Sequence, residues 1–197
     1  MDMENDKINA ARPPEKKEKG GKFNIKSELF DWAESLVETL AVVILIFTLL
    51  FRFLGVQGTS MVPTLHDRDW ILVRNLYNGM PEHGDIIVLK KESFLDQPIV
   101  KRVIATEGDT IDINFQTHEV TVNGEVLYEP YINEETRRMG DMIFPQTVPE
   151  GCVFVLGDNR NGSTDSRFTE VGMIDKRYIL GKAVFRVLPV SRFGSIE

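Results

Sequence analysis

From Leu36 to Leu54 the chain is almost continuously apolar, and this run constrains everything that follows it. It holds Val37, Leu40 to Phe47, Leu49 to Phe51, Phe53 and Leu54. A helix needs roughly 20 apolar residues to cross the hydrocarbon of a bilayer, and this run reaches that length. Glu38 and Arg52 lie toward its ends, where charged heads can snorkel to the interface. Phe30 and Trp32 suit the membrane boundary. A cleaved secretory leader has a shorter apolar core followed by a small-x-small site. Here Phe53-Leu54-Gly55-Val56-Gln57 follows instead. The reading is an uncleaved anchor over residues 34–54. The alternative is a buried core helix, for which the strand-like remainder of the chain has no need.

Residues 1 to about 27 are polar, with Pro13-Pro14 and a mixture of Lys and Glu, and residues 1–33 are expected to form a flexible tail. Lys16, Lys17, Lys19, Lys22 and Lys26 precede the apolar run. A basic excess beside a span keeps that side in the cytoplasm. Residues 55–197 are then expected outside, in a protein that crosses the cell membrane once and sits in its lipid.

The outer part reads as mainly β. Trp70–Val73, Asp85–Leu89, Ile99–Ala105, Thr110–Ile113, Glu119–Val122, Cys152–Leu156 and Gly181–Leu188 alternate or run apolar at strand length. Asn78-Gly79, His83-Gly84-Asp85, Glu107-Gly108-Asp109 and Asn123-Gly124 supply turns, the last a hairpin signal. The expected fold is a coiled, antiparallel, barrel-like β domain behind one transmembrane helix. Tyr128 to Val148 has no clear period and reads as a surface excursion. A net charge of −7 argues against a nucleic-acid partner. The single cysteine, Cys152, excludes an internal disulfide and reads as a buried core residue.

Three segments stand apart from this scaffold. Ser60-Met61-Val62-Pro63-Thr64-Leu65 follows the anchor closely. A serine in such a loop is by itself an ordinary turn residue. Val100-Lys101-Arg102-Val103-Ile104 places a lysine inside a strand pattern, with Ile99 and Val103 on its own face. Pattern alone allows that lysine a sheet edge with its head in water. Burial would instead lower its pKa and let it accept a proton. Gly157 to Arg167 is a polar loop directly after an apolar strand. Such a loop can be a solvated turn; it lacks the full calcium-loop pattern and its terminal Glu, so no metal or other cofactor is expected. His66, His83 and His118 all lie in polar turns, which speaks against a histidine base.

In order and wording, the three segments resemble the type I signal peptidases, membrane-anchored proteases that use a Ser nucleophile and a Lys base. The resemblance covers about Leu36 to Pro189. It implies Ser60 as nucleophile and Lys101 as general base. It implies that Ser163 hydrogen-bonds the Lys101 amine, while Asp158, Asp165 and Arg167 hold the loop, most simply through an Asp165–Arg167 ion pair. Some members carry a Ser hydroxyl two positions before the nucleophile; here that position is Gly58, which leaves backbone N–H groups or Thr59 to stabilise an oxyanion. The substrates implied are signal peptides of exported preproteins, cut after small-x-small sites near the export channel. A peptide would add as a strand between Val56-Gln57-Gly58 and Gln97 to Val100. Val56, Met61, Leu65 and Val100 would line shallow pockets there, with Gly58 and Ile99 on the edges.

The chain departs from the family where Ala105-Thr106-Glu107-Gly108-Asp109 replaces the usual Gly-Leu-Pro-Gly-Asp. Self-cleaving repressors also use Ser and Lys, but they carry a DNA-binding N-terminus and no anchor. A membrane-tethered β module that binds without cutting is the rival of another class.

Overall fold

A computed structural model describes residues 25–75, 79–91 and 97–196. Of the expected tail at residues 1–33, residues 1–24 lie outside the described residues, as does part of the Asn78-Gly79 turn, while residues 25–33 are not an irregular tail but the first turns of a helix.

Helix α1 (Ile25–Leu50) carries the apolar run. Glu28–Leu50 is long and apolar enough to cross a membrane, with mean hydropathy 2.1. The Thr39 and Thr48 hydroxyls donate back to the Ser35 and Leu45 carbonyls, so neither is left unpaired on an apolar surface. The helix stops four residues before the expected end of the span at Leu54. Asn75 receives its last turn: the side-chain amide donates to the Leu49 carbonyl at 2.8 Å and the backbone N–H to Leu50 at 3.0 Å. These bonds satisfy carbonyls that a helix terminus leaves open.

Phe51–Gly55 are not helical. They form strand β1, paired antiparallel with β2 (Trp70–Arg74) from Phe51↔Arg74 to Gly55↔Trp70. Aromatic and branched residues suit a strand as well as a span, so an apolar run cannot mark where one becomes the other.

The rest is β, as expected. In chain order the remaining strands are β3 (Ile86–Leu89), β4 (Ile99–Thr106), β5 (Thr110–Asn114), β6 (Glu119–Val122), β7 (Glu125–Val126), β8 (Gln146–Thr147), β9 (Cys152–Leu156), β10 (Ile174–Asp175), β11 (Ile179–Leu188) and β12 (Gly194–Ser195). All pairings are antiparallel. One sheet runs β1-β2-β11-β3-β4-β9-β10, with β12 added to β11; a smaller one runs β7-β6-β5-β8. Asn123-Gly124 makes the tight β6–β7 turn, both residues at positive φ, and Val122 pairs with Glu125. Irregular register within the β11–β2, β11–β3 and β4–β9 pairs bends the large sheet.

Apolar side chains gather in three clusters. One lies around Val56, Met61, Leu65, Ile71 and Val100. A second lies against the small sheet, around Ile104, Ile111, Phe154 and Leu156. The third holds Ile87, Leu89, Val103 and Val155. β4 touches all three through Val100, Ile104 and Val103, and it is buried on both faces from Val100 to Ala105. Lys101 and Arg102, the charged residues of that stretch, are buried with it. Two expectations change here. Cys152 is only half-buried, at the first residue of β9, where burial and then Asp175 push its thiol pKa up. The 128–148 excursion is irregular but more than a surface loop, since it buries Thr136 and Val148.

Candidate active site

Ser60 sits in the tight loop that joins β1 to β2. The loop is closed at its base by Val56 N–H to the Asp69 carbonyl at 2.7 Å and Arg68 N–H to the Val56 carbonyl at 2.9 Å. Met61 and Leu65 are its apolar anchors, both almost fully buried. Buried Asp69 ties the loop to the C-terminal strands. It pairs with Arg192 at 2.9 Å and with Arg186 at 3.4 Å, and Arg186 also donates to the Thr64 carbonyl. Gly58, at φ +87°, donates its N–H to the Asp67 carboxylate at 2.9 Å. Only glycine takes that backbone conformation without strain, so the turn itself explains why no hydroxyl-bearing residue stands there.

Lys101 reaches this loop from β4. Its Nζ lies 2.8 Å from Ser60 Oγ and 3.1 Å from the Val100 carbonyl oxygen. The side chain is buried, and burial is the largest influence on its amine, pulling the pKa from 10.5 down to about 8. Asp165 and Asp158 oppose that shift and Arg167 adds to it. An amine so shifted is neutral in about a tenth of molecules at pH 7, against fewer than about one in a thousand for an ordinary lysine. It can then accept the proton that the Ser60 hydroxyl donates. None of the three histidines is hydrogen-bonded to either residue; His118 instead faces Glu135 at 3.2 Å.

The loop after β9 packs behind the pair. Gly157 makes this approach possible: a Cβ there would lie 2.5 Å from the Ser60 carbonyl oxygen and 2.3 Å from Ser163 Oγ. The expected Asp165–Arg167 pair is made, fully buried, with Nε and Nη2 donating at 2.8 and 2.9 Å. Asp165 also accepts the Gly157 N–H at 3.0 Å. Asp158 takes a two-point bond from Arg102, 2.9 Å at each oxygen, and accepts the Thr64 hydroxyl. Arg102 therefore braces the site from the residue next to Lys101. Ser163 is where expectation and structure part. Its Oγ is buried but makes no hydrogen bond, so the expected bond to Lys101 is absent.

A groove opens beside Ser60, lined by Leu54 to Gly58, Met61 and Pro98 to Val100. Five of the six residues expected to bind substrate lie there. Leu65 does not: it is wholly buried in the core under the loop. Pro98 lies in the expected Gln97 to Val100 edge, whereas sequence reasoning missed Leu54 and Gly55, and gave no role to Thr64 and Arg160 although both lie in the singled-out segments. β4 pairs with β3 from Ile99 onward, but β9 joins its other edge only at Arg102. The outer edge of Ile99 to Lys101 is thus open toward the groove.

The family model for signal peptidase, peptidase S26, matches residues 29–188. Signal peptidase I of Bacillus licheniformis is 36% identical over 88% of this chain and 96% of its own. Signal peptidase I S of Bacillus subtilis is 33% identical over 83% and 91%. A crystal structure of a signal peptidase I from Enterococcus faecalis is 29% identical, covers 53% of this chain and 97% of that one, and superposes with a TM-score of 0.44. With the family matched over most of its length, and relatives similar from end to end, the chain belongs to the signal peptidases of peptidase family S26 as a type I signal peptidase.

Proposed function

We propose that this peptidase is a membrane-bound serine endopeptidase that removes signal peptides from exported preproteins, with Ser60 as nucleophile and Lys101 as general base. The observation that carries the reading is the 2.8 Å contact between Ser60 Oγ and a buried amine whose pKa is drawn down to about 8. In acylation the neutral amine takes the hydroxyl proton as Oγ attacks the scissile carbonyl. The ammonium then returns that proton to the leaving amine. In deacylation Lys101 takes a proton from water, whose oxygen attacks the acyl-enzyme. The proton passes to Oγ as the ester breaks, and Ser60 is restored.

The oxyanion needs a preorganised donor. The Ser60 N–H suits that role, having no acceptor among the described residues. An extended signal peptide fits as a strand between Val56–Gly58 and the open edge of β4. Shallow apolar walls from Val56, Met61 and Val100 suit alanine-sized residues before the cut, the small-x-small rule. The apolar helix and the lysine excess before it support an anchor with residues 1–33 cytoplasmic and residues 55–197 outside. We place Phe51–Leu54 with the outer part, because they pair with β2.

The deciding experiment is cleavage of a preprotein in detergent by the wild type, Ser60→Ala and Lys101→Ala. Both variants should lose essentially all turnover while unfolding cooperatively like the wild type. Near-normal turnover by either would end the Ser–Lys mechanism. Protease added outside cells with a permeabilised wall should digest the β domain and spare the tail; a protected β domain would reverse the topology.

A further inference from the structure

Three buried arginines stand behind the Ser60–Lys101 pair, each with a carboxylate partner. Arg102 and Arg167 find theirs in the polar loop after β9, at Asp158 and Asp165. Arg160 does not: its partner is Glu129, 31 residues earlier, at the start of the irregular excursion after β7. Nη1 of Arg160 donates to Glu129 Oε2 at 2.7 Å and to the Thr136 hydroxyl at 2.8 Å, and Nη2 completes the fork on Glu129 Oε1. The Arg160 side chain has no exposed surface and that of Glu129 has 8%.

We infer that Glu129 is a positioning residue for peptide cleavage, holding the Gly157–Arg167 loop against Ser60 through its ion pair with Arg160. The inference rests on the Ser60–Lys101 reading. Arg160 grips the loop at two points: its Nε donates to the Gly157 carbonyl at 3.3 Å, and its own carbonyl accepts Arg167 Nη2 at 2.6 Å. Gly157 is the residue whose closeness to Ser60 leaves no room for a Cβ. Asn159, next to Arg160, donates its N–H to the Ser60 carbonyl at 3.0 Å and its side-chain amide to the Thr59 carbonyl at 3.1 Å. The segment that Arg160 fixes is thus the one bonded to the backbone of the nucleophile.

A second arm runs from the same stretch to the lysine strand. The Tyr131 hydroxyl donates to Glu129 Oε1 at 2.8 Å. Burial, and then the Glu129 charge, push the phenol pKa up, so it remains a donor. The Arg102 guanidinium stacks on the Tyr131 ring, 4.0 Å from its centre. Arg102 is the neighbour of Lys101 and the two-point partner of Asp158. Pro130 lies between Glu129 and Tyr131, and its ring fixes φ there. The Glu129–Tyr131 tripeptide therefore touches both the loop that is bonded to the Ser60 backbone and the strand that carries Lys101. Displacements of an ångström at the contact of Oγ with Nζ cost a rate about 100-fold.

The test must separate positioning from simple support of the fold. Full-length protein in detergent is assayed for kcat and KM on a preprotein, with thermal unfolding measured beside it. Glu129→Gln keeps the shape and removes the charge; kcat should fall about 10- to 100-fold while KM stays within about twofold, since no substrate contact is lost. The double variant Glu129→Leu/Arg160→Met replaces the pair by apolar groups of similar size, a change that folds commonly tolerate. Its kcat should stay low even where it unfolds at the wild-type temperature. Wild-type kcat in a folded double variant would overturn the inference. If neither folds, Tyr131→Phe decides: losing one hydrogen bond should lower kcat about 2- to 10-fold, and an unchanged kcat would reject the positioning role. Turnover by Ser60→Ala or Lys101→Ala in the same assay would bring down the underlying mechanism instead.

Discussion

The β domain has two interiors built on opposite rules. Against the small sheet, Ile104, Ile111, Phe154 and Leu156 pack with Phe144, whose ring meets that of Phe154 edge to face at 5.8 Å. Behind Ser60, Lys101, Arg102, Asp158, Arg160, Asp165 and Arg167 are each exposed by 3% or less. The first interior needs volume and little else, because dispersion and the hydrophobic effect are tolerant of direction. The second needs every partner in place, because a buried charge without its counter-ion costs several kcal/mol. The apolar interior gives the domain stability. The charged one costs stability and returns a single arrangement of Oγ and Nζ.

The largest test of that contrast is Lys101→Met. Turnover should fall by about 10⁴-fold or more, as when one member of a nucleophile–base unit is lost. Stability should rise. The folded-state pKa is about 8 against an ordinary 10.5, so the unfolded chain holds the proton more tightly. Stability then climbs with pH between about 8 and 10.5, and the cost of burial is fully present below 8. At pH 7 that cost is about 3 kcal/mol as an upper limit. Denaturant unfolding of the two proteins measures the gain, and a Lys101→Met protein less stable than wild type would refute it. The same pKa sets the activity profile. Only the neutral amine accepts a proton, so turnover should rise with pH through about 8 and then level off. A plateau already reached at pH 6 would put the limiting titration on another group.

Asp165→Asn goes the other way. It leaves Arg167 buried opposite a neutral amide and should cost about 3–5 kcal/mol, with activity falling in parallel. Equilibrium unfolding checks this; a loss below about 1 kcal/mol would mean that Arg167 finds other acceptors sufficient.

How much of this could be read from the sequence follows the same division. Strand positions were legible wherever apolar alternation met a turn signal, as at Asn123-Gly124. Asp165 and Arg167 were legible as a pair because they are two residues apart. Ser60 and Lys101 were legible as motif members, though their contact spans 41 residues. The Glu129–Arg160 bond was not, because a carboxylate in an irregular stretch has no period and its partner lies far along the chain. Phe51–Leu54 were read as part of the span because hydropathy is blind to whether a backbone bonds to itself or to β2. Leu65 was misplaced in the substrate groove because apolar character does not say which side of a loop a residue faces.

The apolar interior should respond only in its own terms. Ile111→Val removes one methylene from a fully buried site of the second cluster and should cost about 0.5–1.5 kcal/mol. kcat and KM should stay at wild-type values. A change in kcat without a change in stability would show that the two interiors are mechanically coupled.

Ser163→Ala is the smallest and sharpest of these changes. In the resting enzyme its Oγ is buried with no hydrogen-bond partner, so the hydroxyl contributes nothing to holding the loop. Removing an unpaired buried polar group is neutral or favourable, by up to about 1 kcal/mol. Stability should therefore hold or rise slightly. Any fall in kcat then belongs to the reaction and not to the fold. We expect one of about tenfold or less, because in the proposed mechanism Lys101 is an ammonium while each tetrahedral intermediate lasts, with Ser60 Oγ then bonded to the substrate carbon and no longer a hydroxyl partner. An idle oxygen nearby in the same buried loop is suited to accept from it at that stage. Chemical denaturation and single-turnover acylation on the same preparation separate the two effects. Destabilisation by 1 kcal/mol or more would mean that the hydroxyl is already paired, while unchanged turnover would leave Ser163 as packing against Gly157.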